Sequence, residues 1–582
     1  MIELINSPKD LKSLNINELN ILSSDIRKCL IEKMSKVGGH FGPNLGTVEL
    51  EIALHYVFNS PIDKFVFDVS HQSYTHKILT GRKEAFLDED KYNTVTGYTN
   101  PKESEHDLFT VGHTSTSISL ALGLAKARDI RKENYNIIAL IGDGSLSGGE
   151  AMEGLNVASN LNTNFIIIVN DNQMSIVENH GGIYKNLKEL RDSKGRCVNN
   201  IFKSFGLDYT YIENGNDLES VINTFKQIKD INHPIVVHVN TLKGCGYEPS
   251  LLVKSDWHYT MPFDIKTGKE TKPYIRESYS NITGNILKSR IDKGEDILAI
   301  TAALPFYLGF SEDDRLNKYK DNFIDVGIAE ETAVAIASGA AKNHSKAVFA
   351  TAGTFLQRSF DQIYQDLCLD KNPATLLVSS ASLYGGRDST HLGISISTML
   401  SNIPNLKVLA PTSKQEYISM LNYSLDQTSE SIAILIPAQG IYEDDRVPYN
   451  DYSNVVNKIE IKGFDVAIFG INDFYIEAKE LVEELNKEGI YPTLINPICL
   501  SELDSYTLDS LKDYKLIVTI EGYIKDGGYG EKIASYFGDS NVLVKNFALK
   551  KEIIDKFKVE DILNKNNMTI SQIKDYILSI IK

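Results

Sequence analysis

Two apolar runs in this chain stop in the same way. "YNIIALIG" (135–142) runs into Asp143 and Gly144, and "FIIIV" (165–169) runs into Asn170, Asp171 and Asn172. One such stop reads as a turn, because Asn and Asp are ordinary turn residues. Two at this spacing read as a site. Gly142 and Gly144 let the backbone turn tightly and approach a ligand closely. The helix expected to follow directly offers free N–H groups to an anion, typically phosphate. Asp143 adds a hard oxygen donor. A carboxylate, the Asn172 amide oxygen and a backbone carbonyl suit Mg²⁺ or Ca²⁺, and the metal would in turn hold a diphosphate.

The elements that must position these groups are strands. Runs rich in Ile and Val read as buried strands. A strand–helix–strand unit returns the chain to the same side of a parallel sheet. Ligands of open α/β sheets bind at that carboxyl edge. Further strand-like runs alternate with helical patterns: "HPIVVHVN", "KAVFATAG", "ATLLVSS", "FDVAIFG" and "KLIVTIEG". The alternation predicts α/β architecture with mainly parallel sheets. Polar stretches at 263–285 and 437–454 mark boundaries. Three doubly wound domains follow, over 1–270, 280–440 and 455–582.

Bulk composition narrows the partners. With 60 Lys and Arg against 77 Asp and Glu, the net charge of −17 disfavours a broad nucleic-acid or anionic-membrane surface. No apolar stretch is long enough for a membrane span, and the N-terminus does not read as a signal peptide. The five cysteines, Cys29, Cys197, Cys245, Cys368 and Cys499, form no CxxC pair, which suggests reduced thiols in a cytoplasmic protein.

The motifs carry a resemblance over nearly the whole chain. "GDG…NDN" is similar to the thiamine diphosphate fingerprint. "GGHFGPNLGTVELEIALHYVF" (38–58), "DVSHQSYTHKILTGR" (68–82), "ESEHDLFTVGHTSTSISLALGLA" (103–125), "KGCGYEP", "WHYTMPFD", "FIDVGIAEETAV" (323–334), "TFLQRSFDQ" (354–362) and "STHLG" (389–393) resemble 1-deoxy-D-xylulose-5-phosphate synthases of the transketolase superfamily. The resemblance implies thiamine diphosphate and Mg²⁺ as cofactors, with Asp143, Asn172 and the Met174 carbonyl as metal ligands. It implies that the three domains bind the diphosphate, bind the pyrimidine and form a transketolase C-terminal domain, and that the protein is a homodimer. It gives Glu330 the hydrogen bond to the aminopyrimidine that activates the cofactor carbon. On pattern alone, Glu330 reads as an acidic residue in a first helical turn. The resemblance also places Phe355 against the pyrimidine and assigns Arg358 to the cofactor side.

His40, His71, His113, His258 and His391 are five of only twelve histidines, and each falls in a matched block. Near neutral pH they can relay protons and bind a diphosphate, so a cluster around the reacting carbon is expected. Gly112, His113, Thr114 and Ser115, with Gly142, Asp143, Gly144 and Ser145, supply small residues and hydroxyls suited to a diphosphate. The Thr and Ser residues also suit a helix N-cap. Trp257 reads as packing.

The departures from the family lie elsewhere. Its Asp-Arg-Ala-Gly stretch is Ser379-Ser380-Ala381-Ser382 here, and its Arg-Tyr-Pro-Arg-Gly stretch is Leu435-Ile436-Pro437-Ala438-Gln439. A usual Tyr is Ala352, a usual His is Thr332, and Gly-Ala-Asp-Gly becomes Gly385-Gly386-Arg387-Asp388. The segment after "NDNQMSI" is also shorter than the family's mobile insertion. The cofactor side is kept and the acceptor side rewritten. The missing arginines are those that the resemblance assigns to the acceptor's phosphate, and no uncharged residue imitates their bidentate recognition. Arg387 and Asp388 are the candidate substrate residues, with Arg387, Lys102 and Arg358 able to supply a relocated anion site.

The expected activity is transfer of a two-carbon unit to an aldehyde, with pyruvate as the decarboxylated donor and small molecules as the only partners. A ketose donor, a different aldehyde, a regulatory protein that keeps the cofactor, and a 2-oxo acid dehydrogenase component acylating a lipoyl domain are the alternatives. The intact Glu330, Asp143 and histidines argue against the regulatory reading.

Overall fold

The computed structural model describes residues 1–272, 277–386 and 388–582. It divides into two compact units, Met1–Ile275 with Gly327–Ala329, and Arg276–Val326 with Glu330–Lys582. Residues 273–276, inside the expected 263–285 boundary, and Arg387 lie outside the described residues.

The first unit is built on five parallel strands: β1 (Lys64–Phe67), β2 (Ile137–Gly142), β3 (Phe165–Asp171), β4 (Asp208–Ile212) and β5 (Pro234–Asn240), in the order β1-β2-β3-β5-β4. Both faces of the sheet are covered, which explains the unbroken apolar runs. Ile138, Leu140, Ile166 and Ile168 enter one core. Ile137, Ala139, Ile141, Ile167 and Val169 enter the other, beneath the helices Ser117–Arg131 and Gly149–Ala158. Each fully buried Ile or Val adds about 1.5–3 kcal/mol over its exposed state, so the register of β2 on β3 is firmly set. Gly142 pairs with Asn170, and Asp143 N–H donates to the Asn170 carbonyl (3.0 Å). The two polar stops therefore lie side by side.

The helix expected directly after the glycines begins one turn later. Gly144–Ser147 form a 3₁₀ turn, Gly148 is extended, and the α-helix starts at Gly149. A Cβ on Gly148 would stand 2.1 Å from Ser115 Oγ, so the chain crosses that loop before it can coil.

The second unit holds two sheets. Strands β6 (Ile297–Thr301), β7 (Phe323–Asp325), β8 (Lys346–Ala352), β9 (Thr375–Ser379), β10 (Leu406–Leu409) and β11 (Ser431–Leu435) form a parallel sheet ordered β10-β11-β9-β8-β6-β7. Strands β12 (Asn457–Ile461), β13 (Val466–Gly470), β14 (Thr493–Pro497), β15 (Leu516–Ile524) and β16 (Leu543–Leu549) follow in the order β12-β14-β13-β15-β16, with only β12 antiparallel. All seven runs read as strands from the sequence are strands. Residues 437–454 run between the two sheets and are packed: the Tyr452 side chain is fully buried, and the Arg446 guanidinium lies 4.2 Å from the Tyr475 ring centre. Among the described residues, no helix is long and apolar enough to cross a membrane.

Candidate active site

The three polar residues that end β3 divide the work. Asn170 and Asp171 are fully buried and held by the scaffold. Asn170 Oδ1 accepts the Thr241 hydroxyl (2.5 Å), and its amide donates to Gln72 (3.3 Å). Asp171 accepts from His238 Nε2 (2.8 Å) and from Arg191, while His238 Nδ1 meets the Tyr209 hydroxyl (2.9 Å). Among the described residues, Asn172 Oδ1 takes only a local N–H, that of Met174 (3.2 Å). Asn172 is thus the member of the motif left to reach a ligand.

Asp143 stands at the end of the neighbouring strand and is 1% exposed. Its Oδ2 accepts the Asn179 amide (2.8 Å), and among the described residues it forms no ion pair. Burial, with Asp171 nearby, pushes its pKa well above the usual carboxylate range. Lys243 turns its ammonium to the Ser175 carbonyl (2.8 Å), and burial lowers its pKa to about 7. A buried carboxylate that forms no ion pair among the described residues, next to an amide oxygen on the adjoining strand, fits a small hard divalent ion.

The hydroxyl-rich loop is fastened to the glycine turn. Asp68 accepts the backbone N–H groups of Ser115 (2.9 Å) and Ser117 (3.0 Å), and Ser115 Oγ donates to the Ser145 carbonyl (2.9 Å). Ser115 adopts φ 78°, an uncommon left-handed conformation that these bonds hold. Gly112–Ser115 and Gly142–Ser145 are brought together in this way. Gly144 and Gly148 keep the floor clear, since Cβ atoms there would meet Ser175 Cβ at 2.8 Å and Ser115 Oγ at 2.1 Å. A floor kept bare of side chains in this way suits the close approach of a diphosphate. In the same unit, Ile328 N–H donates to Ser147 Oγ (2.8 Å).

Three of the expected histidines cluster. The His40 ring lies 5.0 Å from His71 and 5.7 Å from His258, and His71 lies 5.3 Å from His258. Asn44, which sequence reasoning passed over, sets two of them: its amide donates to the carbonyls of His40 (2.8 Å) and His71 (2.7 Å). Phe41 N–H donates to the His258 carbonyl (3.2 Å) and ties in the third. Burial, then Lys243, His71 and His40, hold His258 well below the usual imidazole range, so it is neutral at pH 7. Trp257 packs its ring against Phe41, Tyr247 and Phe263.

The remaining residues belong to the second unit. Glu330 opens the helix Glu330–Lys342 and is 2% exposed. Burial raises its carboxyl from 4.5 to about 7, against the pull of Arg358, whose Nη1 lies 3.4 Å away. Phe355 follows β8, and its ring meets His391 edge-on at 5.4 Å. His391 Nδ1 contacts Asp388 Oδ1 (3.1 Å), which also accepts from Thr390 N–H (3.0 Å) and the Thr390 hydroxyl (2.6 Å). Asp388 thereby organises the turn that carries His391.

Asn44, Asp68, Asn179 and Lys243 were missed as site residues. Asn44 and Asp68 lie inside quoted blocks and Lys243 opens "KGCGYEP", but nothing in their types marks a hub.

Successive parts of the chain match families of known proteins. Residues 277–442 match the transketolase pyrimidine-binding domain, and 457–573 match the transketolase C-terminal domain. These matches define a transketolase-type thiamine diphosphate enzyme. Residues 2–198 and 191–241 match the model described as 1-deoxy-D-xylulose-5-phosphate synthase. The protein of that name from Clostridium beijerinckii is 36% identical, over 96% of this chain and 96% of its own. That from Listeria monocytogenes serotype 4b is 37% identical, over 96% and 94%. A solved transketolase from Campylobacter jejuni is 16% identical, covering 97% of this chain and 100% of its own with a TM-score of 0.44. The chain belongs to the 1-deoxy-D-xylulose-5-phosphate synthase family, and is a transferase of two-carbon units that depends on thiamine diphosphate and Mg²⁺.

Proposed function

We propose that this enzyme decarboxylates pyruvate and joins the two-carbon unit to an aldehyde, in the manner of the relatives it matches but with a changed acceptor. When bound, thiamine diphosphate supplies the carbon nucleophile and electron sink. Asp143, Asn172 and the Met174 carbonyl hold the metal, while His71, Gly112–Ser115 and Gly142–Ser145 receive the diphosphate. Glu330 shares a proton with the aminopyrimidine. Its raised pKa suits that task, because a group near pH 7 can both give and take the proton. Phe355 and Arg358 line the pyrimidine side. His40, His71, His258 and His391 move protons to and from substrate oxygens.

The observation that carries this reading is the register of Gly142 on Asn170, which sets Asp143 and Asn172 on adjacent strand ends. The loss of arginines at Ser380, Leu435 and Ala438 supports the changed acceptor. We assign residues 1–270, 280–440 and 455–582 to three domains, and expect a cytoplasmic homodimer. The test is incubation of the purified protein, cofactor and Mg²⁺ with pyruvate and an aldehyde panel, with products read by mass spectrometry. A ligation product carrying the two pyruvate-derived carbons is expected. Carbon dioxide release with every aldehyde left unchanged would refute the ligase reading.

A further inference from the structure

Four rings pack around the His40 imidazole. Two belong to His71 and His258. The other two are tyrosines with no role in the chemistry proposed above. The Tyr98 ring lies 5.6 Å from that of His40 at 68°, and the Tyr259 ring lies 5.1 Å away at 86°. Near-perpendicular contacts at this spacing are the favoured edge-to-face arrangement, in which the positive edge of one ring meets the negative face of the other.

Both tyrosines are fastened to the neighbours of the histidines. Gly39–His40 and Tyr259–Thr260 form a short antiparallel pair, in which His40 is the direct partner of Tyr259. Directly opposed side chains stand on the same face. A Cβ on Gly38 (φ 74°) would lie 2.4 Å from the Thr260 carbonyl oxygen, so glycine is what lets the two segments close up. Tyr98 arrives on a distant loop. The Thr96 hydroxyl donates to the Tyr98 carbonyl (2.6 Å), and Thr99 N–H donates to Ser70 Oγ (2.9 Å), directly before His71. Asn100 N–H donates to Asp107 Oδ2 (2.8 Å), which also accepts from Arg82 Nη1 (2.6 Å). The two rings thus come from opposite ends of the first unit's sequence and meet the same imidazole.

We infer that Tyr98 and Tyr259 are positioning residues that hold the His40 imidazole in one orientation toward His71 and His258. The inference rests on the proton-moving role proposed for His40. A histidine side chain has several wells at its first torsion and a broad one at its second, and only its neighbours narrow them. A ring that trades protons with a substrate oxygen needs one of those orientations. Each edge-to-face pair is a factor of about 2 to 10 in the population of that orientation. The rings supply this effect and the hydroxyls do not, so phenylalanine should serve as well as tyrosine.

The test measures carbon dioxide release from pyruvate by the holoenzyme, with and without glyceraldehyde 3-phosphate, for wild type, Tyr98→Ala, Tyr259→Ala, the double variant, Tyr98→Phe and Tyr259→Phe. Each Ala variant should lose about 2- to 10-fold in kcat and the double variant about 4- to 100-fold, while KM for pyruvate and affinity for thiamine diphosphate stay within about 3-fold. The Phe variants should keep wild-type rates. Tyr259 is 57% exposed, so Tyr259→Ala decides the matter even where Tyr98→Ala does not fold. The NMR ring signals of isotope-labelled histidine, with His40 assigned from His40→Gln, give a reading that needs no turnover. In the apoprotein the His40 signal should shift and broaden in Tyr259→Ala and stay sharp in Tyr259→Phe. Phe variants as slow as the Ala variants, a parallel loss of cofactor affinity, or an unmoved His40 signal would overturn the inference. If wild type releases no carbon dioxide, the two-carbon reading fails, and the ring signals alone decide the positioning role.

Discussion

Replacing Glu330 by Gln should alter both catalysis and the pH dependence of stability, and the second effect can be measured without cofactor. Burial raises the Glu330 carboxyl from 4.5 to about 7. The folded protein therefore holds a proton that the unfolded chain has already released. Stability from this group is fully present below about pH 4.5 and is lost as pH rises through about 7. At about 1.4 kcal/mol per pKa unit, the loss by pH 8 is on the order of 3 kcal/mol. Glu330 is almost fully buried, so solvent screening removes little of it. Glu51 and Glu521 are also raised, to about 8 and about 7, so the wild-type curve alone cannot assign the slope. The difference between wild type and Glu330→Gln isolates it. Unfolding midpoints of the apoprotein from pH 5 to 8 should fall more steeply for wild type, by a few degrees in total. Parallel curves would refute the buried, proton-holding carboxyl. The same variant should bind cofactor yet lose about 10²–10⁴-fold in turnover, and hydrogen exchange at the reactive cofactor carbon, followed by NMR, should slow with it.

Asp143→Ala should abolish Mg²⁺-dependent binding of thiamine diphosphate in calorimetry, and unchanged affinity would remove it from the metal site. Asn44→Ala takes away both amide bonds to the His40 and His71 carbonyls, so kcat should fall at least about 10-fold while circular dichroism stays native. Gly148→Ala puts a methyl 2.1 Å from Ser115 Oγ, which should cost about 1–3 kcal/mol and weaken diphosphate binding even where the protein folds. Light scattering at working concentration should give the dimer mass, and a fully active monomer would contradict the expected assembly.

Much of the framework was legible because buried parallel strands must be apolar on both faces, so Ile137–Gly142 and Phe165–Asp171 announce themselves. Their polar ends were legible as a site for the same reason: charge and amides stop the run at a sheet edge. The division of labour within those ends was not legible. Asn170 and Asp171 depend on Thr241 and His238, which lie far along the chain and arrive only through β5 pairing with β3. Asn44 and Asp68 escaped for a related reason. Each acts through bonds to backbone groups, which leave no trace in residue type.

The short stretch after Met174 has a consequence for how the cofactor arrives. It leads into the helix Gly182–Asp192, which is tied to the strand end through Arg191 and Asp171, while Asn179 and Tyr184 bond to Asp143 and the Gly144 carbonyl. Little chain is left to freeze on binding. A longer, untethered segment would surrender conformational freedom with each association. Here that freedom is already gone when the protein folds. Cofactor capture on this side should therefore have the small heat-capacity change of a rigid cavity, and not that of coupled folding and binding.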